Sequence, residues 1–420
     1  MVSTLYNIGI RAYATLLQLA APFNQKARQW VEGRRDWQGN LGQKLGAVNP
    51  DGQPVVWFHA ASLGEFEQGR PVMEAFRAEF PAYKIVLTFF SPSGYEVRKT
   101  YAGADVIAYL PADTPENARA FLTIVQPKLA FFIKYEFWAN YLHALRAAQV
   151  PTISFSAIFR ANQLFFKPWG GFYRELLTCF DSIFVQNEES EQLLRSIGIT
   201  HVTRAGDTRF DRVAQVAAAR KEIPPVAEFK KGPNGQPVPL LVVGSAWQAD
   251  MDVLIPFLNR FEQPLKVIIA PHEIHDDEIE RWRGQLKGES VRYSEINERM
   301  STEIGIRSLF IDNIGMLSSL YQYGDFAYIG GAFGKGLHNI LEAATFGVPV
   351  FFGPNYTKFQ EAIDLIEEGG AFSVAGTEQL RTAFEKQYGD RTKASIVTKE
   401  YVKRNTGATE KVMQLVRLHM

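Results

Sequence analysis

At 420 residues the chain is too long to close around one hydrophobic core, and two domains of ordinary size divide it naturally. Its 46% hydrophobic and 21% charged residues exclude a disordered chain, and 45 Lys+Arg against 45 Asp+Glu leave no global field to attract nucleic acid, so any anionic partner must be held by a local patch. A single cysteine, Cys179, excludes an intrachain disulfide framework; in LLTCFDSIFV it reads as a core thiol.

The first predicted element is an apolar helix over Thr4–Phe23, about long enough to span a bilayer. Arg11 in its middle would cost roughly 2.5–3.5 kcal/mol on insertion. Lys26, Arg28, Arg34 and Arg35 follow, interleaved with Trp30 and Trp37, a mixture that suits an anionic membrane surface. A cleaved signal peptide lacks its basic leader and its small-x-small site here. The expectation is a membrane-associated helix over residues 1–25, spanning or lying in plane, with a soluble amphipathic helix as the alternative.

Strand-like runs then alternate with helical spacing: Val55–His59, Lys84–Phe90, Val106–Leu110, Leu129–Ile133, Thr152–Phe155 and Ser182–Val185. Residues 221–239, rich in proline, glycine and charge, read as a linker. The alternation restarts with Leu240–Gly244, Leu265–Ala270, Ser308–Ile311, Phe326–Ile329 and Val348–Phe352. This predicts two Rossmann-like doubly wound domains, 26–220 and 240–420, facing a central cleft at the carboxyl ends of two parallel sheets, with the last helix, about 393–418, crossing back onto the first.

The first strand ends in HAASLGE, which places Glu65 at the start of a helix, either as a general base or as a glutamate favoured by the helix dipole. Another strand ends in IKYEFWAN, where Lys134 and Glu136 read as a solvated pair or Glu136 faces the same cleft as Glu65. In GDTRFD, Arg209 either neutralises a departing phosphate or pairs at the surface with Asp207 or Asp211. The aromatic run 158–173 suits a phosphorylated lipid or a core edge equally well. Asp250 and Asp252 lie two apart inside a predicted helix, so they read as a solvated surface, not a metal-binding DxD. His272 and His275 miss the four-residue spacing of a metalloprotease.

Residues 325–354, DFAYIGGAFGKGLHNILEAATFGVPVFFGP, carry the strongest signal. Gly330, Gly331, Gly334 and Gly336 allow close backbone approach to a ligand, and a helix expected to follow would turn its N–H groups toward a phosphate. Asn339 and Glu342, three apart on its first turns, suit a ribose. The spacing matches neither the dinucleotide pattern nor the P-loop.

In that order, the blocks HAASLGE (59–65), EFWAN (136–140), GDTRFD (206–211), APH (270–272), DNIGML (312–317) and GGAFGKGLHNILE (330–342) resemble the 3-deoxy-D-manno-octulosonic acid (Kdo) transferases of lipopolysaccharide biosynthesis over nearly the full length. The resemblance implies the GT-B architecture, a CMP-Kdo donor, a lipid A precursor as acceptor, no cofactor or metal, and action at the cytoplasmic face of the inner membrane. It implies Glu65 as catalytic base, with Glu136 and Arg209 stabilising the transition state, the family usually having lysine at the latter position. Pro271 and His272 match a proline-arginine pair that contacts CMP. Asn313, Ile314 and Gly315, and Asn339, Ile340, Leu341 and Glu342, match nucleotide-holding blocks. Lys134 stands where an acid is common, and Ala139 replaces proline. Two alternatives from other classes are a nucleotide-sugar epimerase of the same fold and a catalytically silent nucleotide-binding protein at a membrane surface.

Overall fold

The computed structural model describes residues 2–220, 222–296, 305–334 and 336–420. They form two compact units, Met1–Arg212 with Thr406–Met420 and Val213–Asn405.

The sheet of the first unit comprises β1 (Val55–Ala60), β2 (Lys84–Phe89), β3 (Val106–Tyr109), β4 (Pro127–Ile133), β5 (Thr152–Ala157), β6 (Ser182–Val185) and β7 (Val202–Arg204). Its order is β3-β2-β1-β4-β5-β6-β7, and every pairing is parallel. All of β1 is buried. Helices cover both faces of such a sheet, which is why VVWFHA shows no polar alternation. Adjacent residues feed opposite cores: Trp57 packs on Phe121 and Phe132 of one, Phe58 stacks on Phe131 of the other at 4.4 Å.

Four helices of this unit matter below: α1 (Val2–Ala20), α2 (Gln25–Glu32), α3 (Trp37–Val48) and α4 (Leu63–Glu79). One side of α1 is tied to the unit: Tyr6 donates to Asp113 at 2.6 Å, Asn7 accepts from Asn140 at 2.8 Å, and Arg11 pairs with Glu116. The other side leaves Leu5, Ile8, Leu16 and Leu19 largely in solvent. Among the described residues no helix is long and apolar enough to cross a membrane. The spanning form of the N-terminal expectation is therefore not met; polar Asn7, Arg11 and Gln18 interrupt the apolar run and make α1 amphipathic. Arg34 is also not a surface charge. It stacks on Trp30 at 4.0 Å and donates to the carbonyls of Leu110 and Phe90, and burial pushes its guanidinium down to about 9. In the aromatic run, Phe159 and Phe165 are core residues and Trp169 is exposed. Cys179 is buried, as the sequence suggests.

The second unit holds β8 (Leu240–Ala246), β9 (Lys266–Pro271), β10 (Glu289–Arg292), β11 (Ile306–Phe310), β12 (Phe326–Ile329), β13 (Val350–Phe352) and β14 (Ala371–Ser373). They are parallel in the order β10-β11-β9-β8-β12-β13-β14. The stretch expected to be a linker carries a short helix, Pro224–Phe229, whose Val226 and Phe229 are buried, and a bridge between Lys231 and Pro237.

The expected last helix is two, Thr392–Asn405 and Ala408–His419, broken at Gly407, whose φ of 106° a side chain would strain. The second belongs to the first unit. Asp211 accepts the N–H groups of Gly407 and Thr409, both at 2.6 Å, and so satisfies donors a helix start leaves open. Arg417 forks onto Glu79 of α4 at 2.6 and 2.9 Å, and Val412, Met413 and Val416 join the core around Phe58, Phe76 and Phe131.

Candidate active site

In the first unit two of the predicted catalytic residues, Glu65 and Glu136, follow the carboxyl ends of β1 and β4, and Arg209 lies in the helix after β7. Ser62 caps α4 in a reciprocal capping box: its hydroxyl accepts the Glu65 N–H, while the Glu65 carboxylate accepts the N–H groups of Ala61 and Ser62 at 2.7 and 3.2 Å. The helix-terminal reading of Glu65 thus holds in the structure, and so does an unusual charge state. Burial, then the negative charge of Glu136, push the Glu65 carboxyl up to about 7, against its backbone donors and Lys134, which pull it down.

Glu136 is not half of a solvated pair with Lys134. It is buried, and its Oε2 receives the Trp138 indole N–H at 2.5 Å and lies 3.1 Å from Nε2 of His59, a fully buried residue of β1. Lys134 has φ 69°, a left-handed conformation costly for a side-chain-bearing residue, and burial followed by the charge of Arg209 lowers its ammonium. Arg209 is bound by Asp207, which takes its backbone N–H at 2.9 Å and its Nε–H at 2.8 Å. Asp207 is itself buried and held by Gln68 of α4. The Asp207 partnership is one of the two expected for Arg209, whereas no sequence motif assigns a role to His59 or Gln68. A polar residue inside an otherwise apolar strand was the available signal for His59.

In the second unit the corresponding strand ends hold the glycine turn. Asp250 is fully buried: its carboxylate takes the N–H of Gly331 at 2.9 Å, the N–H of Trp247 at 3.0 Å and the Tyr328 hydroxyl at 3.1 Å. Its reading as solvated helix surface is wrong, because at the third helical position a carboxylate turns back to cap the helix start. Only Asp252 is exposed. Gly330 is demanded by packing, since a Cβ there would lie 2.2 Å from the Ser245 carbonyl, and Gly331 by its φ of 94°.

The helix expected directly after Gly336 is confined to Leu341–Ala344. The intervening chain folds back instead, with the N–H of His338 on the Gly330 carbonyl, so a long helix dipole does not face this turn. Asn339 takes the Leu341 N–H at 3.2 Å and donates to Glu342 at 3.1 Å; Glu342 also accepts from Ser318 at 2.6 Å. That last bond joins the 339–342 block to the segment after Asn313, Ile314 and Gly315. Ile340 and Leu341 are buried in the core, leaving only their backbone for a ligand, and Ile314 stands 93% exposed. Pro271 ends β9, and the His272 ring stacks between Trp247 at 4.3 Å and His338 at 4.4 Å. His338 lies inside the GGAFGKGLHNILE block, but no spacing in the sequence shows that its ring and Trp247 flank His272.

A family model described as 3-deoxy-D-manno-octulosonic-acid transferase matches residues 38–212, the stretch that holds Glu65, Glu136 and Arg209. Proteins named 3-deoxy-D-manno-octulosonic acid transferase are similar to the chain well beyond that stretch. The one from Bordetella pertussis is 28% identical over 394 residues, 87% of this chain and 86% of its own length. That of Haemophilus influenzae is 24% identical over 430 residues, 98% and 95%. Over most of its length the chain is similar to Kdo transferases. The transferase from Aquifex aeolicus is 26% identical over 334 residues, 78% of this chain and 84% of its own length. Among solved structures, UDP-GlcNAc 2-epimerase from Neisseria meningitidis aligns with a TM-score of 0.61 at 14% identity, over 87% of this chain and all of that one. Acinetobacter baumannii MurG aligns at 0.55 and 13%, over 87% and 99%. At such identities these two show the fold alone, the GT-B type with two parallel seven-stranded sheets.

Proposed function

We propose that this chain is an inverting glycosyltransferase that moves Kdo from CMP-Kdo to a glucosamine hydroxyl of a lipid A precursor. The observation that carries the reading is Glu65, a half-buried carboxyl at a strand end with its proton affinity raised to about 7, in a chain whose full-length relatives are named Kdo transferases. A base poised near neutral pH combines the deprotonated state with real proton affinity.

The first unit supplies the acceptor side. Glu65 takes the hydroxyl proton as the acceptor oxygen bonds to the anomeric carbon of Kdo; the bond from that carbon to the phosphate oxygen breaks, and its electron pair leaves with CMP. Attack from the face opposite the leaving group inverts the centre and needs one protein base, unlike the double displacement of retaining enzymes. Glu136 keeps Glu65 basic by its charge. Arg209, held by Asp207, stabilises the negative charge growing on the leaving phosphate. The second unit holds the donor: Glu342 and Asn339 on the ribose, His272 with Pro271, and the backbone at Asn313, Ile314, Gly315, Ile340 and Leu341 around the nucleotide. A monophosphate leaving group is within the capacity of such donors, so the reaction proceeds without a metal.

The exposed stripe Leu5, Ile8, Leu16 and Leu19 supports a position for α1 in the plane of the inner membrane, at its cytoplasmic face, where the acceptor resides. Incubation of the protein with CMP-Kdo and a tetraacylated lipid A precursor tests the whole reading by mass spectrometry. The acceptor is expected to gain the mass of one or more Kdo residues, with undiminished yield in EDTA. An isomerised donor would identify an epimerase, and unchanged reactants a silent binder.

A further inference from the structure

The base pair of carboxylates sits on a buried chain of hydrogen bonds that the reaction above does not use. Trp57 Nε1–H donates to Thr88 Oγ1 at 2.8 Å, Thr88 Oγ1 lies 2.9 Å from His59 Nδ1, and His59 Nε2 lies 3.1 Å from Glu136 Oε2. Trp57, Thr88 and His59 are wholly inaccessible to solvent, so water cannot replace any link.

The direction of each hydrogen follows from what each group can do. An indole N–H only donates, so Thr88 Oγ1 accepts from Trp57. Its own hydrogen then goes to His59 Nδ1 at 2.9 Å or to the Phe58 carbonyl at 3.5 Å, and the shorter contact wins. That leaves Nδ1 as acceptor and puts the ring hydrogen on Nε2. The other end of the ring requires the same answer: a bare Nε2 lone pair facing a carboxylate oxygen at 3.1 Å would repel it, whereas Nε2–H donates to it. Trp138 Nε1 is within 3.1 Å of that nitrogen as well, but its hydrogen is directed to the closer Glu136 oxygen.

We infer that His59 is a positioning residue: as the Nε2–H tautomer selected by Thr88, it holds the Glu136 carboxylate in a fixed orientation and through Glu136 acts on Glu65. This rests on Glu65 being the base of the proposed transfer. The charges around Glu65 are Glu136 and Lys134, and around Lys134 stand Asp207, Arg209 and Arg160. Of these, only Glu136 is in contact with His59. Without the imidazole donor, Glu136 keeps one N–H partner and loses its fixed orientation beside Glu65, so its repulsion of the Glu65 carboxylate weakens.

Two measurements on the full-length protein test this. In the ¹⁵N spectrum of histidine-labelled protein, with His59→Gln identifying the signal among seven histidines, His59 is expected neutral with hydrogen on Nε2; hydrogen on Nδ1 would overturn the inference. In kcat/KM against pH with CMP-Kdo and the lipid acceptor, His59→Leu should lower the plateau ~10- to 100-fold and move the acidic limb down by about one pH unit. His59→Gln, which returns an amide N–H toward Glu136, should keep the limb in place. An acidic limb unmoved in His59→Leu, whatever its rate, would also overturn it. If His59→Leu does not fold, Thr88→Val compared with Thr88→Ser reads the same link: the hydroxyl-free variant should shift the limb and the serine variant restore it. A protein that transfers no Kdo at all would defeat the proposed reaction, while the tautomer measurement would still decide the role of His59.

Discussion

Asp250 accepts the backbone N–H of Gly331 at 2.9 Å, fastening the helix after β8 to the glycine turn after β12. The same oxygen takes the N–H of Trp247, so a single buried carboxylate shapes the loops that follow β8 and β12. Asp250→Ala removes the oxygen that accepts both buried N–H groups, a loss of about 1–3 kcal/mol for each. A lowered melting temperature and weaker CMP binding by calorimetry are expected together. Unchanged CMP affinity would show that the turn does not hold nucleotide.

Glu65→Gln separates chemistry from structure. Glutamine keeps an acceptor for the Ala61 N–H and so preserves the capping box, but it cannot take a proton. Transfer should fall by roughly 10²–10⁴ while CMP binding persists. Near-normal turnover would remove Glu65 from the mechanism.

The pH dependence of stability carries a definite sign at the same residue. Its folded carboxyl titrates at about 7 against 4.5 ordinarily, so the folded state binds the proton more tightly. The contribution of Glu65 is therefore fully favourable below pH 4.5 and is lost as pH rises toward about 7. Relative to wild type, Glu65→Gln should be more stable above pH 7 than below pH 5. Denaturant melts at the two ends check this, and a difference of opposite sign would contradict the assignment.

Arg209→Ala should lower kcat by about 10²–10³, the usual loss on removing one donor from a developing negative charge. Asp207→Asn, which loosens the arginine without deleting it, should give a smaller drop in kcat. Steady-state kinetics with saturating donor distinguish this from a loss confined to KM, which would make Arg209 a binding group only.

Leu16 and Leu19 of α1 are 64% and 67% exposed. Leu16→Asp with Leu19→Asp should leave thermal stability within about 0.5 kcal/mol per site. Sedimentation with anionic vesicles should lose the protein to the supernatant; retention would place membrane contact elsewhere.

The interior strands were legible because burial on both faces writes a nearly continuous apolar run, as in FAYI and in VVWFHA, where His59 is the one polar residue. The three strands that escaped, β7, β10 and β14, lie at sheet edges, are three or four residues long and carry exposed or half-exposed positions that blur any pattern. At the site, Glu65 could be located because a tight turn precedes it. Glu136 could be named, but its burial depends on Trp138 and His59, and no spacing encodes the partner from another strand. Asp250 was misread for a related reason: helical periodicity tells which residues share a face, not which turn back to cap their own helix. The helix after Gly336 was overextended because a favourable composition, LHNILEAA, does not reveal that the loop first closes on Gly330.

The helix Ala408–His419 follows the whole second unit in the chain yet completes the core of the first. During synthesis, β1 and α4 therefore wait with Phe58, Phe76 and Glu79 uncovered until a ribosome has passed the residues that cap them. Assembly of the two units is nested, not sequential. The half bearing the proposed base reaches its final form only after the half proposed to carry the nucleotide has already been made.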